Sequence, residues 1–174
     1  MDDTAPLIVT ALFEDEAQRF FEAKRQQYFP PKRNFIPAHL TLFHKLPGAD
    51  LSDITTVLRE ATRDTPMPPC DVTGPRFLGF GSCYEIESAE LSAVRAGLVS
   101  EWDSVLSDQD RRPFNPHVTF QNKADPDIAK AVFALERNRF EPFVTHAVAL
   151  RLWHYRGGPW DEAGTFPFAD QALG

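Results

Sequence analysis

The chain has 174 residues, of which 43% are hydrophobic and 25% are charged, and its formal net charge at pH 7 is −7. This length and composition are typical of a globular chain, so we expect residues 1–174 to form one domain. The acidic balance argues against a protein that wraps a long nucleic-acid duplex, because neutralisation of phosphates by cationic side chains dominates that kind of binding. A small phosphorylated nucleotide or a nucleic-acid end remains a compatible partner.

Targeting signals and cysteine content point to a cytoplasmic protein. No apolar run approaches the roughly 20 residues of a membrane span, and the acidic start of the chain does not resemble a secretory signal, so we expect no membrane partner. The two cysteines, Cys70 and Cys83, have no metal-ligand spacing. We therefore expect reduced thiols rather than a disulfide or a metal site.

The first half of the chain predicts the order strand, helix, strand, helix. An apolar run over 6–13 predicts the first strand. Apolar residues at helical spacing (Ala17, Phe20, Phe21 and Tyr28) then predict a helix that ends before Pro30 and Pro31, because proline cannot continue it. An alternating segment that contains His39 predicts the second strand. An i, i+3, i+4, i+7 apolar stripe predicts the second helix, with Ile54, Val57, Leu58 and Ala61.

The second half predicts the same order again. Residues 77–87 are strand-like, and apolar residues from Leu91 to Leu106 indicate a long amphipathic helix. A second alternating segment contains His117, and a second four-residue stripe follows (Ile128, Ala131, Val132 and Leu135). A last strand over 147–155 and a loop to Phe168 end the pattern. Because no Ser/Gly-rich linker divides the halves, we expect one α+β unit of two lobes.

Two short motifs, His39-Leu40-Thr41-Leu42 and His117-Val118-Thr119-Phe120, lie at corresponding places in the two halves. Side chains alternate between the faces of a strand, so the histidine and threonine of each motif share one face. Either motif alone would be an ordinary strand segment, since threonine is a good strand former. Two copies in a repeated order of elements indicate a duplicated half-site.

Residues 36–42 and 114–120 resemble the paired motifs of the two-histidine (2H) phosphoesterases, which include bacterial 2′,5′ RNA ligase-like proteins and cyclic nucleotide phosphodiesterases. The resemblance covers nearly the whole chain, including the closing Phe166-Pro167-Phe168. It implies a bilobal, pseudo-duplicated α+β fold in which two sheets line a central cleft, with helices outside and the motif strands facing each other. One departure is the pair His44-Lys45 after the first motif, where many relatives are more apolar or aromatic.

The chemistry of a cyclic phosphodiester fits two histidines. Opening the ring needs a base to deprotonate water and an acid to protonate the departing ribose oxygen, and an unperturbed histidine pKa of about 6.5 suits both roles. We expect His39 and His117 to share these roles, in an order that the sequence does not assign. Thr41 and Thr119 would hydrogen-bond the non-bridging oxygens. The arrangement requires neither a metal nor another cofactor.

The expected activity is that of a metal-independent phosphodiesterase acting on 2′,3′-cyclic or 2′,5′-linked ribose phosphates, with 2′-5′ RNA ligation as the reverse reaction, in a monomer. Two alternatives stay open. A metal-dependent hydrolase would use the histidines as ligands, although no His-Glu-x-x-His string occurs. A non-catalytic module for binding RNA or nucleotides would keep the cleft without turnover. Chelator treatment and a turnover assay separate these hypotheses.

Other side chains are candidates for substrate contacts, with ordinary packing or a solvated surface as the alternative. Phe43 would share the face of His39 and stack on a base, and the remaining candidates are Arg112, Lys123, Arg151, Trp153 and Tyr155. The last three share one face of the final strand. We expect His44 to face with Leu40 and Leu42, away from the motif side chains. The remaining histidines, His146 and His154, are interpreted as structural.

Overall fold

Residues 3–170 are described by the computed structural model of the chain. Seven strands lie within this range: β1 (Leu7–Phe13), β2 (Leu40–Leu46), β3 (Pro69–Phe77), β4 (Ser82–Glu87), β5 (His117–Gln121), β6 (Phe143–His154) and β7 (Asp161–Pro167). Four α-helices accompany them: α1 (Asp15–Tyr28), α2 (Leu51–Arg63), α3 (Ala89–Glu101) and α4 (Pro126–Arg139). No helix in the described part of the chain is both long and apolar enough to cross a membrane.

The strands form an antiparallel sheet in the order β2-β1-β6-β3-β4-β5, with β7 paired to β6 as well. Strand β6 joins two halves of this sheet, because its residues 143–146 pair with β3 and its residues 147–154 pair with β1. Strands β2 and β5 occupy opposite ends of the order, yet they contact each other. The sheet therefore curls until its outer strands meet. This curled α+β architecture, with the motif strands facing each other, confirms the predicted fold class.

A helix from each half of the chain contacts the motif strand of the other half. Helix α1 of the first half packs on β5 of the second half. Helix α3 of the second half reaches β2 of the first half, where Arg95 donates a hydrogen bond from Nε to the carbonyl oxygen of Leu42 at 2.9 Å. One continuous cluster of buried apolar side chains includes residues from both halves. The two lobes thus share a core.

Local sequence explains where the helices begin. Ser88 caps α3 by accepting a hydrogen bond from the N–H of Leu91 at 3.0 Å. Asp125 caps α4 in the same way, accepting from the N–H of Asp127 at 2.9 Å, and Pro126 occupies the first helical position, where its missing N–H costs nothing. Helix α1 ends at Tyr28, before the two prolines, as predicted.

Several boundaries differ from those that the sequence predicts. The segment 77–87, predicted to be strand-like, contains strand β4 from Ser82 onward, but it begins with the end of β3 at Phe77 and a turn that contains Gly79 at φ 94°. A positive φ of this size is accessible mainly to glycine. The helix expected to reach Leu106 ends at Glu101, the last long strand begins at Phe143, and the loop to Phe168 contains β7.

The apolar stripe predicted for α4 does not form the buried face of that helix. Ile128 is 57% exposed, whereas Glu136 is buried. Glu136 accepts hydrogen bonds from Tyr28 at 2.6 Å and Tyr84 at 3.1 Å and forms an ion pair with Lys24 at 2.9 Å. A carboxylate with all its hydrogen-bond partners can be buried, and this network therefore places the Glu136 face of α4 against the rest of the protein. The expectation for the stripe was therefore wrong.

Candidate active site

The two motif histidines make the same hydrogen bond. Nδ1 of His39 lies 2.7 Å from the carbonyl oxygen of Pro37, and Nδ1 of His117 lies 2.7 Å from that of Asn115. Because a carbonyl oxygen can only accept, each Nδ1 carries a proton, and we assign the tautomers on that basis. Each imidazole therefore has Nε2 left to act on a ligand.

One cavity of about 190 Å³ brings the motif side chains together. Its walls are formed by Ile8, His39, Thr41, His44, His117, Thr119 and Trp160. The structure thus gathers all four predicted catalytic side chains at one place, where the ends of the curled sheet meet. Larger cavities of about 540 and 600 Å³ lie beside α3, but the described residues that line them include no histidine.

His39 lies in an environment that disfavours its protonated form. Desolvation lowers the pKa of His39 to about 4, and the electrostatic influence of Arg25, His117 and His44 acts in the same direction. The Pro37 carbonyl acts against them by accepting the Nδ1 hydrogen bond. The ring centroid of Trp160 lies 4.8 Å from that of His39. His39 is therefore a neutral imidazole at neutral pH.

Two buried arginines fix the backbones of the motif strands. Arg25 on α1 donates from Nη1 to the carbonyl oxygen of Thr119 at 3.2 Å. Arg95 on α3 donates to the carbonyl oxygen of Leu42 from Nε, and from Nη2 to the carbonyl oxygen of Asp110 at 2.7 Å. Each arginine thus joins a helix of one half to the motif strand of the other half.

His44 lies in the cavity, contrary to the expectation from the sequence. Strand β2 pairs with β1 through Thr10 opposite Thr41 and Val9 opposite Phe43, so β2 carries one extra residue between these pairs. Such a bulge places two consecutive side chains, here Leu42 and Phe43, on the same buried side and reverses the alternation after it. His44 consequently faces the cleft with Thr41 and not the core with Leu42.

The same bulge places the side chain of Phe43 in the core and not in the cleft. Its side chain is 0% exposed, its ring lies 5.0 Å from that of Trp102 in an edge-on arrangement, and the guanidinium of Arg95 lies 4.9 Å from its centroid. Stacking of Phe43 on a substrate base was therefore a wrong prediction, and its alternative, a place in the core, is correct.

The remaining predicted substrate contacts lie outside the cavity walls. Arg112 and Lys123 are exposed near the second motif, and Tyr155 is 46% exposed at the end of β6. Arg151 lies over Trp153, with its guanidinium carbon 5.6 Å from the ring centroid, and donates to Thr165. None of these side chains lines the cavity.

Two residues of the cavity wall, Trp160 and Ile8, were not identified from the sequence, and Trp160 is the aromatic one. It lies between β6 and β7, and its ring centroid is 6.0 Å from that of Trp153. Trp153 is in turn held by a hydrogen bond from Nε1 to Oγ1 of Thr10 at 2.9 Å. The sequence does contain a signal for Trp160, because it follows Gly157-Gly158-Pro159 and a large aromatic side chain in such a loop needs a surface to pack on.

The other histidines and the cysteines lie away from the cavity. Nδ1 of His146 is 3.3 Å from a carboxylate oxygen of Glu14, and His154 is buried near Asp3. Burial raises the pKa of both thiols to about 11, so Cys70 and Cys83 are free and unreactive. Among residues 3–170, no group of three or more His, Cys, Asp or Glu side chains is arranged to hold a metal ion.

A family model described as the 2′-5′ RNA ligase superfamily matches residues 13–159, a span that contains both motifs. No curated protein sequence matches the chain. Among solved structures, TT0787 of Thermus thermophilus has a TM-score of 0.67 at 15% identity, covering 96% of this chain and 100% of that one. LigT of E. coli complexed with 3′-AMP has a TM-score of 0.64 at 16% identity, covering 96% and 99%. The LigT complex with NADP+ has a TM-score of 0.59 at 16% identity, covering 95% and 99%.

Proposed function

Since the chain belongs to the 2′-5′ RNA ligase superfamily, we propose that it is a phosphodiesterase that cleaves 2′,3′-cyclic or 2′,5′-linked ribose phosphates at RNA ends or in nucleotides. The observation that carries this proposal is the matched pair of imidazoles, His39 and His117, whose Nδ1 atoms are occupied and which line one cavity. The LigT complexes, which contain 3′-AMP and NADP+, support a phosphorylated nucleotide as the ligand class.

In the proposed reaction the phosphate lies between the two imidazoles. One Nε2 accepts a proton from water as the water oxygen forms a bond to phosphorus. The bond from phosphorus to the ribose oxygen breaks, and the other imidazole, in its protonated form, donates its proton to that oxygen. The hydroxyls of Thr41 and Thr119 donate hydrogen bonds to the non-bridging oxygens throughout. The reverse sequence joins a ribose hydroxyl to the phosphate, which is the ligation reaction.

We assign the base role in hydrolysis to His39. A base must be neutral before the reaction, and desolvation of the half-buried His39 beside Trp160 keeps its pKa low, at about 4. Protonation of the leaving oxygen then falls to His117, because it is the other imidazole of the motif pair in the cavity. In ligation the two histidines exchange these roles.

The decisive experiment removes each histidine separately. His39→Ala and His117→Ala should each lower the rate by ~10²–10⁴-fold, because each loses a proton-transfer group. Turnover is measured on a 2′,3′-cyclic nucleotide, with a 2′,5′-linked dinucleotide and a cyclic ADP-ribose phosphate assayed in parallel. His146→Ala is the matched control, since His146 also makes an Nδ1 hydrogen bond but lies outside the cavity. Near-full activity in both motif variants would contradict the assignment.

The same assay separates the alternative functions. Activity that is unchanged by prolonged incubation with EDTA is expected for the histidine mechanism, whereas loss of activity that a divalent metal restores would support a metal-dependent hydrolase. Binding of nucleotide without turnover of any of the three substrates would support the non-catalytic module.

A further inference from the structure

A third imidazole in the cavity, that of His44, is paired with a buried carboxylate. Nδ1 of His44 lies 3.2 Å from Oδ1 of Asp110. The backbone N–H groups of His44 and Lys45 donate to the two carboxylate oxygens of Asp110 at 2.8 and 3.0 Å. A carboxylate only accepts, so the proton of this pair is on Nδ1 and the other ring nitrogen, Nε2, is left for a ligand.

Asp110 is a rigid, ionised support for His44. Its side chain is 0% exposed, and its own carbonyl oxygen accepts a hydrogen bond from Arg95. Burial alone raises the pKa of Asp110, but the hydrogen bonds from His44 and Lys45 outweigh burial and lower it. The carboxylate is therefore an anion that orients the imidazole and balances its charge when that imidazole is protonated.

The corresponding position in the second half of the site carries a different side chain. Asn122 follows His117 at the spacing that separates His44 from His39, and it does not line the cavity. Its Oδ1 instead accepts the N–H of Lys123 at 2.9 Å. The third imidazole thus makes one side of the cleft richer in hydrogen-bond donors than the duplication alone would provide.

We propose that His44, as an imidazolium, is a third phosphate-binding residue of the cleft, which donates a hydrogen bond from Nε2 to an anionic oxygen of the bound phosphate while its Nδ1–H donates to Asp110. This inference rests on the proposed function for its ligand class. The groups around His44 fit the role: His39 and His117 line the same cavity, Arg95 lies behind Asp110, and the carboxylate occupies the side of the ring away from Nε2. His44 does not move a proton in this scheme and acts on substrate affinity.

The test measures binding of inorganic phosphate by calorimetry at about pH 6 and about pH 8, on either side of the reference histidine pKa. His44→Gln should weaken binding about five- to tenfold near pH 6 and at most about twofold near pH 8, because only the imidazolium carries a proton on Nε2, whereas the neutral ring keeps its one proton on Nδ1 beside Asp110. Comparing variants at one pH removes the titration of phosphate itself. His146→Gln, which disrupts a similar histidine–carboxylate pair elsewhere, should bind phosphate like the parent at both pH values.

A His44→Gln protein that binds phosphate as tightly as the parent near pH 6 would overturn the inference, as would a parent that binds no phosphate. His44→Asn, which gives the first motif the side chain found at Asn122, is the second variant, and circular dichroism verifies that each variant is folded. In turnover, His44→Gln should raise KM more than it lowers kcat. The proposed function is tested separately by turnover of the His39 and His117 variants, so its failure is distinguishable from a failure of phosphate binding by His44.

Discussion

The strands that carry the two motifs, β2 and β5, share features of backbone geometry in addition to the residue types of the motifs. Each histidine bonds the carbonyl oxygen two residues earlier, and each strand has an extra residue in its pairing directly after the motif threonine. In β2 this irregularity buries Leu42 and Phe43 together, and in β5 it buries Phe120 and Gln121 together. The duplication therefore preserves the geometry of the strands, including a bulge that no motif describes.

The surroundings of the two histidines differ. His39 packs against Trp160 and has His44, with its Asp110 partner, on the same strand. His117 has Asn122 at the position that corresponds to His44. The comparison indicates that a repeated backbone supplies two similarly placed imidazoles, while unequal neighbours assign them unequal roles in the proposed reaction.

The largest expected effect concerns the arginines that hold the motif strands. Arg25→Met and Arg95→Met should each lower the free energy of unfolding by about 2–4 kcal/mol, because each leaves two acceptors without their donor. Urea denaturation measures the change. Arg19→Met, at an exposed position of α1, is the control and should stay within about 0.5 kcal/mol of the parent. If only one of the two substitutions lowered the free energy of unfolding, the two arginines would not contribute equally to holding the motif strands.

The motif threonines come next in expected size. Thr41→Ala and Thr119→Ala each remove a hydrogen bond to a charged oxygen, worth about 1.5–3 kcal/mol, so kcat/KM should fall roughly ten- to a hundredfold. The shape of the pH profile should not change, since no titrating group is lost. Serine at either position keeps the hydroxyl and should restore most of the activity. A threonine variant that abolished one limb of the profile would show that the hydroxyl takes part in proton transfer.

The sequence identified the motif side chains because they obey simple alternation up to the threonine. Beyond it the prediction failed for Phe43 and His44 together, and for one reason. A bulge is a property of the pairing between β1 and β2, and the sequence of β2 alone does not contain it. An error of one residue in alternation exchanges the two faces, so one side chain was wrongly assigned to the cleft and the other wrongly excluded from it.

Two further misses arose from contacts between segments far apart in the chain. The buried face of α4 contains Glu136 and not the predicted apolar stripe. The partners of Glu136 are Lys24, Tyr28 and Tyr84, which belong to α1 and β4. Trp160 reaches the cleft because β7 pairs with β6 and carries the preceding loop to that edge. Periodicity within one segment has no information about either contact.

The smallest expected effect concerns Trp160, whose ring packs against the imidazole of His39. Trp160→Ala should admit water to the imidazole and raise the pKa of His39 from about 4 toward its ordinary value, because burial is the main cause of the depression. If His39 is the base, the acidic limb of kcat/KM should move upward by about one pH unit, while activity near pH 8 should change by less than about threefold. Trp160→Phe keeps an aromatic cover and should leave the limb near the parent position. An acidic limb that stays in place in a folded Trp160→Ala protein would transfer the base role away from His39, and the asymmetry between the half-sites would then rest on His44 and Asp110 alone.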